Sequence, residues 1–454
     1  MAYVGLSRKM GGQTHIVFDE REENHMVILI LALVAMTILA VIGVPILIAS
    51  PVLGFFVALL SGLGLYDAMA TTYMGGLSNY VLNYFLMFVL GALFGKLCEI
   101  SGATESIAQA VVDKFGEKHI MLGIIVASAI LAFGGVNLFV ALFAIYPLAM
   151  SMFRRADIPR RLFPAAYIAG AGTFAMTAPF TPSTQNIIPT SYLGTSLSAG
   201  AIPGVIGSIF CAVAVCVYMQ WRTHQVKSKG EHFEPIPGED IDIEDKSDLP
   251  NVFISLVPLV ALIVILNVTN LPIIGSLTLG LLIAFAVYFK YLPHNFAEFW
   301  KHINAGAQNG IMSLINTAAI VGFGSVVTTT TAFTSMATQI EGWAANGNAY
   351  LIAAVAVAVM AGISGSASGG LGIAVPIAAD IFLPMGVSAG ALHRIATVAS
   401  SALDSLPHNG FVNTCLQYSK SNHAKSYFDI FIVSIVITII ELALVIALFS
   451  IGLG

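Results

Sequence analysis

Between Ala389 and Tyr418 an apolar segment is interrupted by Ser400-Ser401-Ala402-Leu403-Asp404-Ser405-Leu406-Pro407-His408-Asn409-Gly410. An ionisable residue at bilayer depth costs about 2.5–3.5 kcal/mol, and Pro407 with Gly410 breaks the hydrogen-bond ladder that makes a helix tolerable in lipid. Such a break has to line a cavity rather than face hydrocarbon. Two half-helices meeting there offer free N–H groups at one end and free carbonyls at the other, which suits a small anion and its coupling ion.

The remainder of the chain requires a membrane. Hydrophobic residues make up 57% of the 454 and charged residues 9%, with a mean hydropathy of +0.88; a soluble domain carries about 25% charged residues. The apolar runs are too long, too many and too poor in charge to be core helices, so the sequence predicts an all-α polytopic membrane protein. Cys98, Cys211, Cys216 and Cys415 sit in or beside apolar segments without metal or redox spacing and read as buried thiols. No cofactor, metal or nucleic acid is called for. Residues 1–26 are polar, with Arg8, Lys9, Arg21 and a cluster of acids, and read as a flexible N-terminal extension. His25-Met26 is either a cloning junction or the start of a shorter natural chain.

From Val27, apolar length and Pro/Gly punctuation predict spans at 27–49, 51–70 and 80–98, then an interfacial amphipathic stretch. Residues 120–152 are apolar but split by Gly134-Gly135-Val136-Asn137 into arms of about fifteen residues. Each arm covers about 22 Å, too short for a core of about 30 Å, so a re-entrant hairpin is the natural reading. A span at 162–193 is broken by Thr177-Ala178-Pro179-Phe180-Thr181-Pro182-Ser183-Thr184-Gln185-Asn186, and 200–221 is the fifth crossing. An acidic cytoplasmic connector, 222–250, separates this first repeat (27–221) from a second (251–454). There the pattern recurs: spans at 251–269, 273–290 and 308–332, a hairpin at 349–386 with Ser364-Gly365-Ser366-Ala367-Ser368-Gly369-Gly370 at its tip, a broken span at 389–418 and a last span at 428–450. Leu53-Gly54 and Leu279-Gly280, Pro147 and Pro376, and Pro182 and Pro407 keep nearly one spacing of about 225–229 residues. Each half has five transmembrane crossings plus one re-entrant helical hairpin and a broken helix. The odd number turns the second half upside down, giving two inverted repeats.

Charge placement tests that parity. With the first hairpin opening to the cytoplasm, fifteen of the nineteen Lys and Arg fall on cytoplasmic segments, and only Arg8, Lys9, Arg21 and Arg394 remain outside. The sequence therefore reads as a multi-pass protein of the cell (inner) membrane with ten crossings, both termini outside and Arg394 an interfacial anchor.

His393-Arg394-Ile395-Ala396 through Ser401-Ala402-Leu403-Asp404-Ser405-Leu406-Pro407-His408-Asn409-Gly410 resembles the late signature of the gluconate/proton symporter family, in particular its members for short hydroxy acids such as 3-hydroxybutyrate. The duplicated layout extends the resemblance over most of residues 27–450. It implies two inverted repeats with re-entrant hairpins, a homodimer in the bilayer, an elevator movement, and uptake of small carboxylates with protons. Ser400-Ser401-Ala402 departs from the resemblance, standing where a more glycine-rich run is expected. First-half site residues rest on repeat position alone.

A monocarboxylate held at mid-membrane needs hydrogen-bond donors rather than a permanent salt bridge, because it must also leave. Candidate binding residues are Gly134, Gly135, Asn137, Thr181, Ser183, Thr184 and Asn186 from the first half, with Ser364, Ser366, Ser368, Gly369, Ser405, His408 and Asn409 from the second. Any single hydroxyl among them could instead satisfy a freed backbone group. Asp404 and His408, four apart, are the candidate proton carriers; the alternative is a cap and a plain hydrogen-bond donor. A sodium-coupled carrier and a gluconate carrier remain open alternatives. A channel lacks the continuous pore it needs, and a hydrolase built from Ser401, Asp404 and His408 lacks triad geometry within one broken helix, so no enzyme is expected.

Overall fold

The computed structural model describes residues 28, 31–32, 34–36, 38–39, 44–116, 119–136, 138–236, 249–269, 271–333, 335, 342, 347–407 and 409–454. Its regular structure is helical among the described residues. The described residues between positions 28 and 39 are helical. Helix α1 (Ile46–Leu60) starts directly after Pro45 and runs through Pro51, and α2 (Asp67–Ile100) crosses in one piece of 34 residues. The break expected between spans at Ser50-Pro51 therefore lies one turn earlier, and the expected 51–70 span ends at Leu60, where Ser61-Gly62 turn the chain. Pro51 stands in the second turn of α1, where its missing N–H removes one ladder bond; beside it Ser50 Oγ donates to the Ala319 carbonyl and meets the Tyr73 hydroxyl at 3.3 Å, tying this turn to its neighbours.

Amphipathic α3 (Ala103–Phe115) follows. Helices α4 (Ile120–Phe133) and α5 (Leu138–Ala156) pack against one another as the two arms of a hairpin. The predicted broken span is α6 (Phe163–Ala171), a single turn α7 (Phe174–Thr177), an extended break, and α8 (Thr184–Leu193). Helix α9 (Ala201–Ser228) runs seven residues into the expected connector; residues 237–248 of that connector lie outside the described residues.

The same order of elements recurs: α10 (Val252–Val268), α11 (Ile273–Tyr288), α12 (Phe296–Thr328), the hairpin α13 (Ala349–Ser364) and α14 (Ala367–Phe382), the broken pair α15 (Ala389–Ala402) and α16 (Gly410–Tyr418), and α17 (His423–Ser450). Pro272 starts α11 as Pro45 starts α1. Most second-half helices begin on a side-chain cap: Asn251, Asn295, Asn348, Ser366, Ser388, Asn409 and Asn422 each accept a first-turn N–H.

Long helices α2 and α12 form the central wall, and small residues let them touch. A Cβ on Gly310 would lie 2.8 Å from both Ala92 Cβ and the Phe88 carbonyl, and one on Gly306 2.8 Å from Lys96 Cβ. Along this wall the described residues form three apolar clusters, one around α4–α6, one around α13–α15 with α17, and one where α1 meets the start of α2 and the end of α12. The halves interlock, because α8 of the first half packs on α14 and α15 of the second. Helix faces turned outward carry Ile202, Ile209, Val213 and Val217 on α9 and Val257, Val260 and Val264 on α10. Among the described residues five helices are long and apolar enough to cross a bilayer, and large exposed aliphatics on such helices are what lipid contact requires.

Candidate functional site

Behind the α2–α12 wall lies a cavity of about 250 Å³ lined by the tip of the first hairpin, the first turn of α8 and the start of α14. Why α8 begins there follows from the sequence: Pro179 and Pro182 cannot continue α7, and Ser183 takes the N-cap position, its Oγ accepting the Asn186 N–H at 3.2 Å and donating to the Met176 carbonyl at 2.6 Å. The free amides of the first α8 turn then open on the cavity beside Thr184 and Gln185. From the other half, Ser366 caps α14 through the Gly369 N–H, and Ser368, 3.2 Å from the Ser366 hydroxyl, reaches the same cavity. Two helix N-termini from the two halves of the chain thus point their partial positive charge at one space. Among the described residues lining it there is no charged side chain.

Of the residues singled out from sequence, Gly135, Ser183, Thr184 and Ser368 border this cavity. Gly135 has φ +86, a conformation open to glycine, and brings the hairpin tip against Pro182. Gly134 packs on Leu259 instead, and Gly369 is buried behind Ser366. Thr181 donates to the Phe133 carbonyl at 3.4 Å, tying the break to the hairpin. Asn186 is fully committed to structure: Nδ2 donates to the carbonyls of Thr181 (2.9 Å) and Leu197 (3.0 Å), and Oδ1 meets His393 Nε2 at 3.0 Å. Asn137 and His408 lie outside the described residues, and Ser364 ends α13.

The described residues of the second break do not border the cavity. Asp404 is buried and accepts from Ser405 Oγ at 2.9 Å, while the Ser405 carbonyl accepts from Tyr427 Oη at 3.0 Å. Asn409 caps α16 and donates to the Gly365 carbonyl at 3.0 Å, holding this break to the second hairpin turn.

Sequence reasoning missed Gln185 and Thr317, which also line the cavity. Gln185 stood inside the first break, and Thr317 shares an α12 face with Ser313, to whose carbonyl it donates at 3.0 Å. Arg394 corrects the expected interfacial anchor: it is fully buried, donating to the carbonyls of Thr177, Leu197 (3.2 Å) and Ala199 (2.9 and 3.1 Å). A second cavity of about 740 Å³, with Asn79, Asn83, Tyr192 and Asp380 on its wall, lies beyond Tyr80. Tyr80 and Tyr84, ring centroids 4.5 Å apart, stand between the two, Tyr84 on the first cavity and Tyr80 on the second.

The family profile described as GntP family permease matches residues 25–452. The chain is 30% identical to the uncharacterized transporter YxjC of Bacillus subtilis, over 94% of this chain and 98% of that one. It is 24% identical to the high-affinity gluconate transporter of Escherichia coli over 66% of this chain and 69% of the relative. Among solved structures, the YdaH transporter of Alcanivorax borkumensis shares the fold with a TM-score of 0.61 at 14% identity, over 92% of this chain and 99% of that one.

Proposed function

The chain belongs to the GntP family of permeases, and on that premise we propose that it is a proton-coupled symporter of a short hydroxy-monocarboxylate, 3-hydroxybutyrate-like in size, working by alternating access. It is a transporter rather than an enzyme, a multi-pass protein of a bacterial cell membrane. The observation that carries the substrate class is the 250 Å³ cavity on which the α8 and α14 N-termini converge, with no charged side chain among the described residues that line it. Oriented amides and hydroxyls hold one carboxylate, whereas a second or third buried charge would find no partner. Ser183, Thr184, Gln185 and Ser368 also suit a substrate hydroxyl, and a site built to bond an OH discriminates against analogues lacking it. In this reading the residues 27–221 and 251–454 are inverted repeats, the Tyr80–Tyr84 pair divides the two access sides, and each protomer of a homodimer moves its hairpins and broken helices as an elevator against the α2–α12 wall. Asp404 and His408 are proposed to carry the coupled proton.

Gluconate is the second reading, favoured by the name of the Escherichia coli relative. Purified protein in proteoliposomes, supplied from outside with labelled 3-hydroxybutyrate and given a proton or a sodium gradient separately, tests both. We expect the proton gradient alone to drive accumulation, 3-hydroxybutyrate and gluconate to compete, and citrate and succinate to compete at least tenfold more weakly. Displacement by citrate ahead of every monocarboxylate would remove the pocket reading, and accumulation on sodium alone would replace the proton.

A further inference from the structure

Glu441 sits in the middle of α17, fully buried; among the described residues no N–H or O–H reaches its carboxyl oxygens, and the Cys211 thiol of α9 is the hydrogen-bonding group beside it. Thr438 Oγ1, one turn earlier on α17, and Ser208 Oγ, next in the chain to Gly207 on α9, are likewise buried without partners among the described residues. Room for the carboxyl comes from Gly207, where a Cβ would stand 3.3 Å from Glu441 Cγ and 3.5 Å from Oε1. The groups that face it are few. From α15 comes Arg394, whose charge acts on Glu441 although its N–H groups are given to backbone carbonyls; the adjacent His393 is turned to Asn186 and Thr195. From α9 comes the Cys211 thiol. Tyr350 of α13 packs on Phe449, two turns further along α17.

A buried carboxylate with no better donor than a thiol is costly, while the protonated acid is a neutral group the interior accepts. A hard metal cation is held by several oxygen ligands, more than one carboxyl supplies, so the cation it suits is the proton. Arg394 links this group to transport: the carbonyls it holds belong to Thr177, at the end of α7, and to Leu197 and Ala199 beyond α8, the two sides of the segment that carries Ser183 and Thr184 into the cavity.

We propose that Glu441 is a second proton-binding site of the transport cycle, taking up a proton on one carboxyl oxygen and releasing it on the other side of the membrane, with Arg394 transmitting its charge state to the cavity wall. The proposal rests on the proton-symport reading above.

The test uses the full-length protein in proteoliposomes with the membrane potential clamped at zero and labelled gluconate or 3-hydroxybutyrate, whichever the wild type accumulates. Loss of one coupled proton lowers the limiting accumulation ratio about tenfold per pH unit of gradient, 1.36 kcal/mol. E441Q is expected to show that loss while substrate exchange without a gradient persists. Wild-type accumulation in E441Q overturns the assignment and leaves proton symport standing, whereas a wild type indifferent to the pH gradient overturns both. Should E441Q fail to fold, E441D keeps the carboxyl one methylene shorter, and its exchange rate should follow a shifted pH profile. A profile superimposable on the wild type would mean Glu441 only fills space.

Discussion

Arg394 shows at the scale of one residue why a sequence position and a structural role can part company. Its place near the start of a span, with Ala389 five residues before it, is that of a side chain reaching for the interface. Its guanidinium instead closes the open carbonyls left where Pro179 and the 194–200 turn stop helices, and those acceptors lie about two hundred residues earlier. Nothing local in the sequence signals acceptors so remote. The Pro and Gly breaks were legible, because each lies inside an otherwise apolar run; what fills them was not, as Asn186 and Arg394 show by serving backbone rather than ligand. Replacing Arg394 by Met should leave at least two buried carbonyls without donors, a cost on the order of 3 kcal/mol. Thermal unfolding in detergent should show Arg394→Met well below wild type and Arg394→Lys between them, since an ammonium cannot serve three carbonyls in the geometry of a planar fork. Equal stability of all three would remove Arg394 as a structural tie.

At the scale of elements, periodicity and punctuation recovered both hairpins and both broken helices to within a few residues, because fifteen-residue apolar arms around a Gly-rich turn admit few foldings. The first spans were misdivided, since Pro51 reads as a stop although α1 starts only at Ile46 and runs through it in its second turn. Charge placement argues that the two hairpins enter from opposite faces. Single cysteines at Val136, on the cavity, and at Ala367, beginning α14, in a background without Cys98, Cys211, Cys216 and Cys415, should therefore label with impermeant maleimide from the cytoplasmic and outer side respectively during turnover. Labelling of both from one side would overturn the inverted arrangement.

At the scale of the whole molecule, the acidic connector reads as a solvated strip, yet its first residues are stitched to the body by contacts that a count of charges does not disclose. Glu231 takes Arg161 Nε at 2.7 Å and Nη2 at 2.8 Å, and Arg161 continues to Asp429 at 3.1 Å, a fully buried acid that Arg222 (2.6 Å) and the Tyr218 hydroxyl (2.7 Å) also reach. Beside it Asp157, with φ 51, accepts from the Phe233 N–H at 3.0 Å and meets His232 Nδ1 at 2.6 Å. The hydrogen bond with His232 holds Asp157 below its ordinary value of 3.8, and Arg161 holds Glu231 below its ordinary 4.5. Because both are lowered in the folded state, their contribution is complete above those ordinary values and is lost as pH falls through the folded ones. Both pairs are half open to solvent, so each contributes little and weakens with salt. Acidification should therefore release the connector while the helices stay assembled. Amide exchange at 229–236 should be slow and flat from neutral pH down to the ordinary carboxylate range, rise below it, and rise already at neutral pH in Glu231→Gln with Asp157→Asn. Protection that persists in the double variant would mean that the Arg160–Phe233 contact, 5.3 Å from guanidinium to ring, holds the connector without the ion pairs.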